Sequence, residues 1–133
     1  MVRGTLSILE AKLRKEADPE ELLKDILRFL HLKPANIDIY FLLVDNRSGM
    51  TISDISSSLH YSERTIRKYV KELQDLGYIK RNLAERKRPC YEYTSISPLK
   101  VWQKLVEEVR QIKLIAEKSV SRFKREKSFY SFR

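Results

Sequence analysis

The chain has 133 residues, the size of one compact domain with extensions, and 42% of them are hydrophobic, which excludes a disordered chain. No apolar run is long enough to cross a bilayer, and the single cysteine, Cys90, excludes an intramolecular disulfide framework and favours a reducing compartment. With 27 basic and 18 acidic side chains the net charge is +9, so we expect a soluble, basic, cytoplasmic protein with no membrane partner, for which nucleic acid is the commonest partner.

The positive charge is concentrated in the second half of the chain. Residues 1–61 carry a net charge of −1, whereas residues 62–90 and residues 91–133 each carry +5. A function that uses positive charge is therefore expected after Tyr61, although surplus lysines can also serve solubility alone.

Three helices are predicted in the first third of the chain. Apolar residues at helical spacing predict a helix over residues 5–17. Asp18 and Pro19 supply the cap and the first residue of a second helix, which ends before Pro34. A third helix is predicted over about residues 35–45, and the Asn-Arg-Ser-Gly sequence after it is typical of a turn.

Two helices separated by a tight turn follow. A short helix is predicted over Ser53–Leu59 with Ser53 as its cap. His60 lies in the tight turn, where a left-handed conformation costs a residue other than glycine some strain, although His tolerates it better than most residues. Ser62 caps a longer helix that ends at Gly77, a residue suited to the left-handed position after a helix. The residues predicted to face inward are Ile52, Ile55 and Leu59 in the short helix and Ile66, Tyr69 or Val70, Leu73 and Leu76 in the longer one.

A hairpin and a long helix complete the chain. Residues 78–83 and 90–96 predict two short strands joined by a charged loop, and Pro98 starts a last helix that runs past Val120. Residues 124–133 have no clear core face and are expected to be frayed. Apolar residues of the last helix recur at steps of three and four, as in a coiled coil, and are Trp102, Leu105, Val109, Ile112, Ala116 and Phe123.

The order of these elements is that of a winged helix-turn-helix, and the stretch from Ile52 to Ile79 fits the pattern of that family closely. The predicted fold class is α+β and mostly helical, with extra N-terminal helices and a long C-terminal dimerisation helix. The predicted domains are an N-terminal helical extension over 1–33, a winged helix-turn-helix over 34–97, and a coiled-coil-like helix with a basic tail over 98–133.

Such folds present the start of their second motif helix to the major groove of DNA. Arg64 and Thr65 are expected to read base edges, and Lys68 and Lys71 to bind phosphates. The wing tip is expected to lie over the sugar-phosphate backbone or the minor groove. The alternative is a solvated helix face and a soluble hairpin tip. The full set of predicted DNA-binding residues is Ser62, Glu63, Arg64, Thr65, Arg67, Lys68, Lys71, Arg86, Lys87 and Arg88.

The seam of the last helix predicts a two-fold dimer, which Leu6, Leu9 and Leu13 of the first helix can join. Two winged helices would then contact half-sites roughly 34 Å apart, one turn of DNA. The alternative is that the seam packs against the chain's own N-terminal helices.

The chain resembles the DNA-binding domain of the TrmB family of archaeal-type transcriptional regulators from about Leu22 to Val109. The resemblance rests on Leu32–Tyr40 before the motif and on Lys87–Tyr93 and Ser97-Pro98-Leu99 after it. The related MarR-like winged helices look similar. The resemblance implies a homodimeric, sequence-specific regulator that binds double-stranded DNA; it implies no sugar effector, and a small-molecule effector stays unknown.

No catalytic constellation, cofactor loop or metal site is predicted, so the chain is not expected to be an enzyme. His31, His60 and Cys90 are too scattered for structural zinc. Basic neighbours could make Cys90 redox-sensitive, and the alternative is an unreactive strand residue. Two other functions remain open: a winged-helix protein-interaction module of transcription or replication machinery, and a weakly specific architectural DNA-binding protein.

Overall fold

The computed structural model describes residues 7, 8, 10, 11, 18–85 and 89–127. Residues 7, 8, 10 and 11 are helical, whereas Leu6, Leu9 and Leu13 lie outside the described residues. The further elements are α1 (Pro19–Phe29), α2 (Pro34–Asp45), α3 (Ile52–Leu59), α4 (Glu63–Asp75), β1 (Ile79–Ala84), β2 (Cys90–Ser95) and α5 (Pro98–Lys127). The chain divides into two compact units, Met1–Pro98 and Leu99–Arg133. The predicted fold class is confirmed, because a mostly helical chain carries one small antiparallel sheet.

The core of the first unit is built from the inward faces of α1 to α4 and from the start of the hairpin. Two leucines of α1 and three apolar residues of α4 are almost fully excluded from water, and α2 is buried along most of its length. Burial of each such side chain stabilises the fold by about 1.5–3 kcal/mol. The largest fully buried side chains of this unit are Tyr40, Leu23, Leu27, Ile39, Leu43, Ile55, Ile66, Leu73 and Val70.

Tyr40 fastens the end of the hairpin to α2. Its hydroxyl donates a hydrogen bond of 2.8 Å to the carbonyl of Ile96, and its ring packs edge-on against Phe41 and Tyr78. Burial, with Tyr78 as the next cause, raises the pKa of the Tyr40 phenol above its ordinary value. The phenol therefore keeps the proton with which it holds the hairpin.

The hairpin pairs β1 with β2 in a register that runs from Ile79 opposite Ser95 to Ala84 opposite Cys90. The segment before α3 extends the sheet through a bridge between Met50 and Tyr93. Gly49, at φ +102, precedes this bridge, and a Cβ atom there would lie 3.3 Å from the Cβ of Glu92. Glycine thus suits this position both for its backbone conformation and for the close approach of this segment to β2.

The structure corrects the predicted start of α3. Its cap is Thr51 and not Ser53, because Thr51 Oγ1 accepts a hydrogen bond from the Asp54 N–H while Asp54 Oδ2 accepts one from the Thr51 N–H. This reciprocal arrangement is a capping box, and it starts the helix one residue earlier, at Ile52.

Two further expectations about burial and helix ends are wrong. Leu76 is 42% exposed, because α4 ends at Asp75 and the chain turns away towards Gly77 at φ +78. Between Tyr69 and Val70, which the sequence left as alternatives, it is Val70 that belongs to the core. The last helix is continuous to Lys127, so residues 124–127 are not frayed, and residues 128–133 lie outside the described residues.

The described part of the second unit is α5 from Leu99 onward, and the 30 residues of the complete helix correspond to a length of about 45 Å. Val101 and Leu105 are buried, and the remainder of the helix from residue 106 to residue 126 is exposed.

Candidate nucleic-acid interface

A three-residue turn connects α3 to α4 and fixes the angle between them. His60 adopts a left-handed conformation, with φ 61° and ψ 31°, and its N–H donates to the carbonyl of Ser56 at 2.9 Å. The Ser56 hydroxyl in turn donates to the carbonyl of Tyr61. The left-handed turn predicted at this position is therefore present, and two hydrogen bonds to Ser56 close it.

Ser62 starts α4 abruptly, as predicted. Its Oγ accepts a hydrogen bond of 3.1 Å from the Thr65 N–H and donates one of 2.8 Å to Thr65 Oγ1. The cap satisfies a backbone donor that the first helical turn leaves unpaired. Thr65 is half-buried and its hydroxyl accepts the Ser62 proton, so it is less available to a ligand than the sequence pattern suggested.

The face of α4 opposite its buried residues carries a stripe of cations, Arg64, Lys68 and Lys71, which we call the α4 cation stripe. These residues are four and three positions apart, so they lie above one another on the helix, and all three are exposed. Among the described residues, the Arg64 guanidinium has neither an ion pair nor a hydrogen bond. The stripe is open to solvent and presents positive charge at the start of a capped helix.

Two carboxylates on α4 partly neutralise the neighbouring cations. Glu63 lies 3.4 Å from the Arg67 guanidinium, and Asp75 lies 3.8 Å from the Lys71 ammonium. All four side chains are about half exposed or more, so each pair contributes at most about 0.5 kcal/mol and is easily exchanged for another partner.

The hairpin adds a basic residue that the sequence analysis missed. The Arg81 guanidinium lies over the ring of Tyr91, 4.2 Å from its centroid, and both side chains are exposed. The register explains the contact, because Leu83 faces Tyr91 and places Arg81 on the diagonal of the same sheet face. Strand alternation in the sequence places Arg81 and Leu83 on one face of the sheet, whereas the register that brings Tyr91 beside them comes from the structure. The predicted wing-tip residues Arg86, Lys87 and Arg88 lie outside the described residues.

The apolar stripe of α5 is largely open. Leu105 is 6% exposed and Trp102 is half-buried, whereas Val109, Ile112 and Phe123 are each 64% exposed and Ala116 is exposed. The predicted seam therefore divides into a buried beginning and an open continuation. Three exposed residues that the prediction did not include, Val106, Ile115 and Val120, widen the open part.

Within the described residues, no three His, Cys, Asp or Glu side chains converge as they would around a metal ion. Nor is any helix of the described ranges long and apolar enough to span a bilayer. Cys90 is half-buried at the start of β2.

Residues 36–82, from the first turn of α2 into β1, match the family model described as an HTH domain. This segment is therefore similar to helix-turn-helix domains. In the geometry above, α3 and α4 correspond to the two helices of such a motif, and the β1–β2 hairpin, which begins within the matched segment, corresponds to the wing of a winged-helix fold.

Solved structures of other proteins are similar in fold to this chain. A possible transcriptional regulator from Methanosarcina mazei is 16% identical with a TM-score of 0.62, over 74% of this chain and 84% of that one. A protein from the archaeon Sulfolobus tokodaii is 18% identical with a TM-score of 0.55, over 81% of this chain and 97% of that one. A MepR variant from Staphylococcus aureus, bound to an oligodeoxyribonucleotide, is 14% identical with a TM-score of 0.51, over 95% and 98% of the two chains. No curated protein matches the sequence.

Proposed function

We propose that this protein is a sequence-specific transcriptional regulator that binds double-stranded DNA as a homodimer. The observation that carries the proposal is the open α4 cation stripe at the start of a capped motif helix. A likeness in fold to a possible transcriptional regulator and to a protein bound to an oligodeoxyribonucleotide supports it.

In this proposal the N-terminal half of α4 enters the major groove. Arg64 reads a base edge, because an unpaired guanidinium near the helix start can bond bidentately to guanine. Lys68 and Lys71 bind phosphates and set the position of the helix without reading sequence. Glu63 and Arg67 exchange their mutual ion pair for contacts with DNA, and Ser62 and Thr65 serve mainly by holding the helix start.

The wing contributes charge outside the major groove. Arg86, Lys87 and Arg88 lie over the sugar-phosphate backbone or in the minor groove. Arg81 is a further phosphate contact, and its stacking on Tyr91 holds the guanidinium in place before DNA arrives, so less side-chain entropy is lost on binding.

The exposed stripe of α5 pairs with the same stripe of a second copy. Large apolar side chains recur over several turns there, and a helix buries such a stripe most simply against its own symmetry mate. Two wings and two α4 helices would then meet half-sites roughly 34 Å apart. Within this class we propose kinship with TrmB-like DNA-binding domains, with MarR-like regulators as the alternative.

The same exposed stripe also fits a helix of another protein, which favours the second candidate, a winged-helix interaction module. A third, weakly specific architectural binding to DNA, uses the same cations without Arg64 reading bases. The single cysteine favours a reducing compartment, and we propose that the protein acts in the cytoplasm. A role in binding DNA requires no catalytic activity, and we propose none.

The proposal is tested by selecting bound duplexes from a random DNA pool and then measuring affinity against salt. We expect a selected site with two-fold symmetry and a logarithmic salt slope of about −0.9 for every phosphate neutralised. Arg64→Ala should reduce the preference for the selected site by about 1–3 kcal/mol, whereas Lys68→Ala should weaken all sequences equally and flatten the slope by about 0.9. Lys118→Ala, which removes an exposed cation of α5, is the control. A flat salt dependence or the absence of binding contradicts DNA binding.

The dimer is tested by sizing the purified protein. Ile112→Glu places a charge in the open stripe and should give a monomer, whereas Gln111→Glu places the same charge on another face of α5 and should leave the dimer intact. A wild-type protein that is monomeric and indifferent to DNA would favour the interaction module.

A further inference from the structure

The first turn of α2 contains a buried amide that reaches across to α4. Asn36 is 4% exposed, and apart from tyrosines it is the one residue with a polar side chain that is buried among the described residues. Its Nδ2 donates to the carbonyl of Tyr69 at 3.3 Å and to Glu72 Oε1 at 3.1 Å. A single side chain thus bonds both the backbone and a side chain of the helix that carries the cation stripe.

The other end of the same amide caps its own helix. Asn36 Oδ1 accepts a hydrogen bond of 3.1 Å from the Lys33 N–H, which precedes α2. The orientation of the amide follows from its partners. Reversed, it would set its NH2 group against the N–H of Lys33 and its oxygen against the carbonyl of Tyr69.

Lys33 and Glu72 close the arrangement into a loop. The Lys33 ammonium lies 3.3 Å from Glu72 Oε2, so Lys33 bonds Asn36 through its backbone and Glu72 through its side chain. The same ammonium lies 5.3 Å from the ring centroid of Tyr69, and the Lys68 ammonium of the cation stripe lies 5.6 Å from it. The α2–α4 polar link, as we name Lys33, Asn36, Tyr69 and Glu72, therefore borders the cation stripe directly.

The directional hydrogen bonds of this link can fix the position of α4 more closely than its apolar contacts can. The buried residues of α4 are Ile66, Val70 and Leu73, and apolar contacts are non-directional, so they tolerate a small roll or slide of the helix. A hydrogen bond weakens steeply with angle and distance. A slip of α4 by one residue would move the stripe by about 1.5 Å along its axis and turn it by about 100°.

We infer that Asn36 and Glu72 are positioning residues that fix the roll and axial position of α4 so that its outer face meets base edges in one register. This inference rests on the proposed function. Neither side chain adds a positive charge to the DNA-facing surface. The link therefore affects how well the protein discriminates between DNA sequences, and it does not change the number of phosphate contacts.

The test compares two asparagines of the same helix region. Asn36→Ala removes the link, whereas Asn46→Ala removes a bond of 2.8 Å from Asn46 Nδ2 to the Leu42 carbonyl, which stays within the end of α2 and costs stability alone. Affinities for the selected site and for a scrambled duplex are measured at a temperature at which circular dichroism shows each variant to be folded. Asn36→Ala should lower the ratio of the two affinities by about tenfold with an unchanged salt slope, and Asn46→Ala should leave the ratio unchanged.

A second pair of variants keeps the test decisive if Asn36→Ala does not fold. Glu72→Gln retains an oxygen that accepts from Asn36 and should keep most of the discrimination, whereas Glu72→Ala should lose it. The inference is overturned if Glu72→Gln and Glu72→Ala give the same ratio of affinities for the selected and the scrambled duplex. It is also overturned if Asn36→Ala and Asn46→Ala lower that ratio equally. A wild-type protein that binds no DNA overturns the proposed function, which is a separate outcome.

Discussion

Asp75→Asn is expected to tighten DNA binding without changing which sequence is preferred. Asp75 continues the α4 cation stripe at the next helical position after Lys71, and its carboxylate lies 3.8 Å from the Lys71 ammonium. It is an acid in line with the cations of a face that we propose to meet a polyanion. Removing its charge frees Lys71 and removes repulsion from the phosphates.

The structure sets the size of the effect. Two unit charges 4 Å apart interact by about 1 kcal/mol in water. The side chains of Lys71 and Asp75 are 77% and 68% exposed, so screening leaves at most about 0.5 kcal/mol in their pair. Relief of repulsion between the carboxylate and nearby phosphates adds a similar amount. The expected gain is about 0.5–1 kcal/mol, a two- to fivefold lower Kd.

Fluorescence anisotropy with a labelled duplex between about 50 and 200 mM salt measures this change. The control is Glu107→Gln on α5, which removes a carboxylate 2.9 Å from Arg110 and alters the net charge by the same amount. Both the selected and the scrambled duplex are titrated, because the effect should be equal for the two.

The reasoning is refuted if both variants tighten binding equally, since that would reflect net charge and not the position of Asp75. It is also refuted if Asp75→Asn weakens binding, which would mean that the carboxylate itself contacts the DNA.

Three other predictions concern the turn, the wing and the α2–α4 polar link. His60→Gly should raise the free energy of unfolding by about 0.5–1 kcal/mol, because glycine removes the left-handed strain at φ 61°. The control is Ser58→Gly within α3, which should lower the free energy of unfolding. Denaturant unfolding would disprove the prediction if His60→Gly also lowered it. Tyr91→Ala should weaken DNA binding two- to threefold by about 0.5 kcal/mol, while Tyr91→Phe, which keeps the ring beneath Arg81, should bind as the wild type does in the same anisotropy titration. The hydrogen bond from Asn36, followed by the hydrogen bond and charge of Lys33, lowers the pKa of Glu72. The ionised Glu72 carboxylate therefore stabilises the fold fully above the ordinary glutamate pKa of about 4.3, and this stabilisation is lost as the pH falls through the lowered pKa. Thermal melts should therefore show a shallower loss of stability on acidification for Glu72→Gln than for the wild type, and identical profiles would contradict this.

Features encoded by neighbouring residues were predictable from the sequence. The Asp18-Pro19 start of α1, the Ser62 cap, the left-handed His60 and the glycine after α4 all depend on side chains within a few positions of one another. The cap of α3 was missed because Thr51 and Ser53 both suit the role. The decision rests on Asp54, which bonds back to the Thr51 N–H and so favours the earlier start.

Features that join distant parts of the chain were not predictable in the same way. Asn36 and Glu72 are separated by 36 positions, and nothing near either residue indicates that they meet. Arg81 and Tyr91 come together only through the strand register, which residues near either one do not reveal. Leu76 followed the helical spacing of the core but lies past the last turn, so periodicity alone assigned it to the wrong side.

The packing of the Met50 segment against β2 depends on the absence of a side chain at Gly49. With 3.3 Å between a would-be Cβ and the Cβ of Glu92, even alanine requires Glu92 to give by a few tenths of an ångström, and the positive φ strains every residue that has a side chain. A saturation mutagenesis library selected for function should accordingly be enriched in glycine at this position. The close spacing between the Met50 segment and the wing thus depends on a hydrogen atom at Gly49 where any other residue would carry a carbon atom.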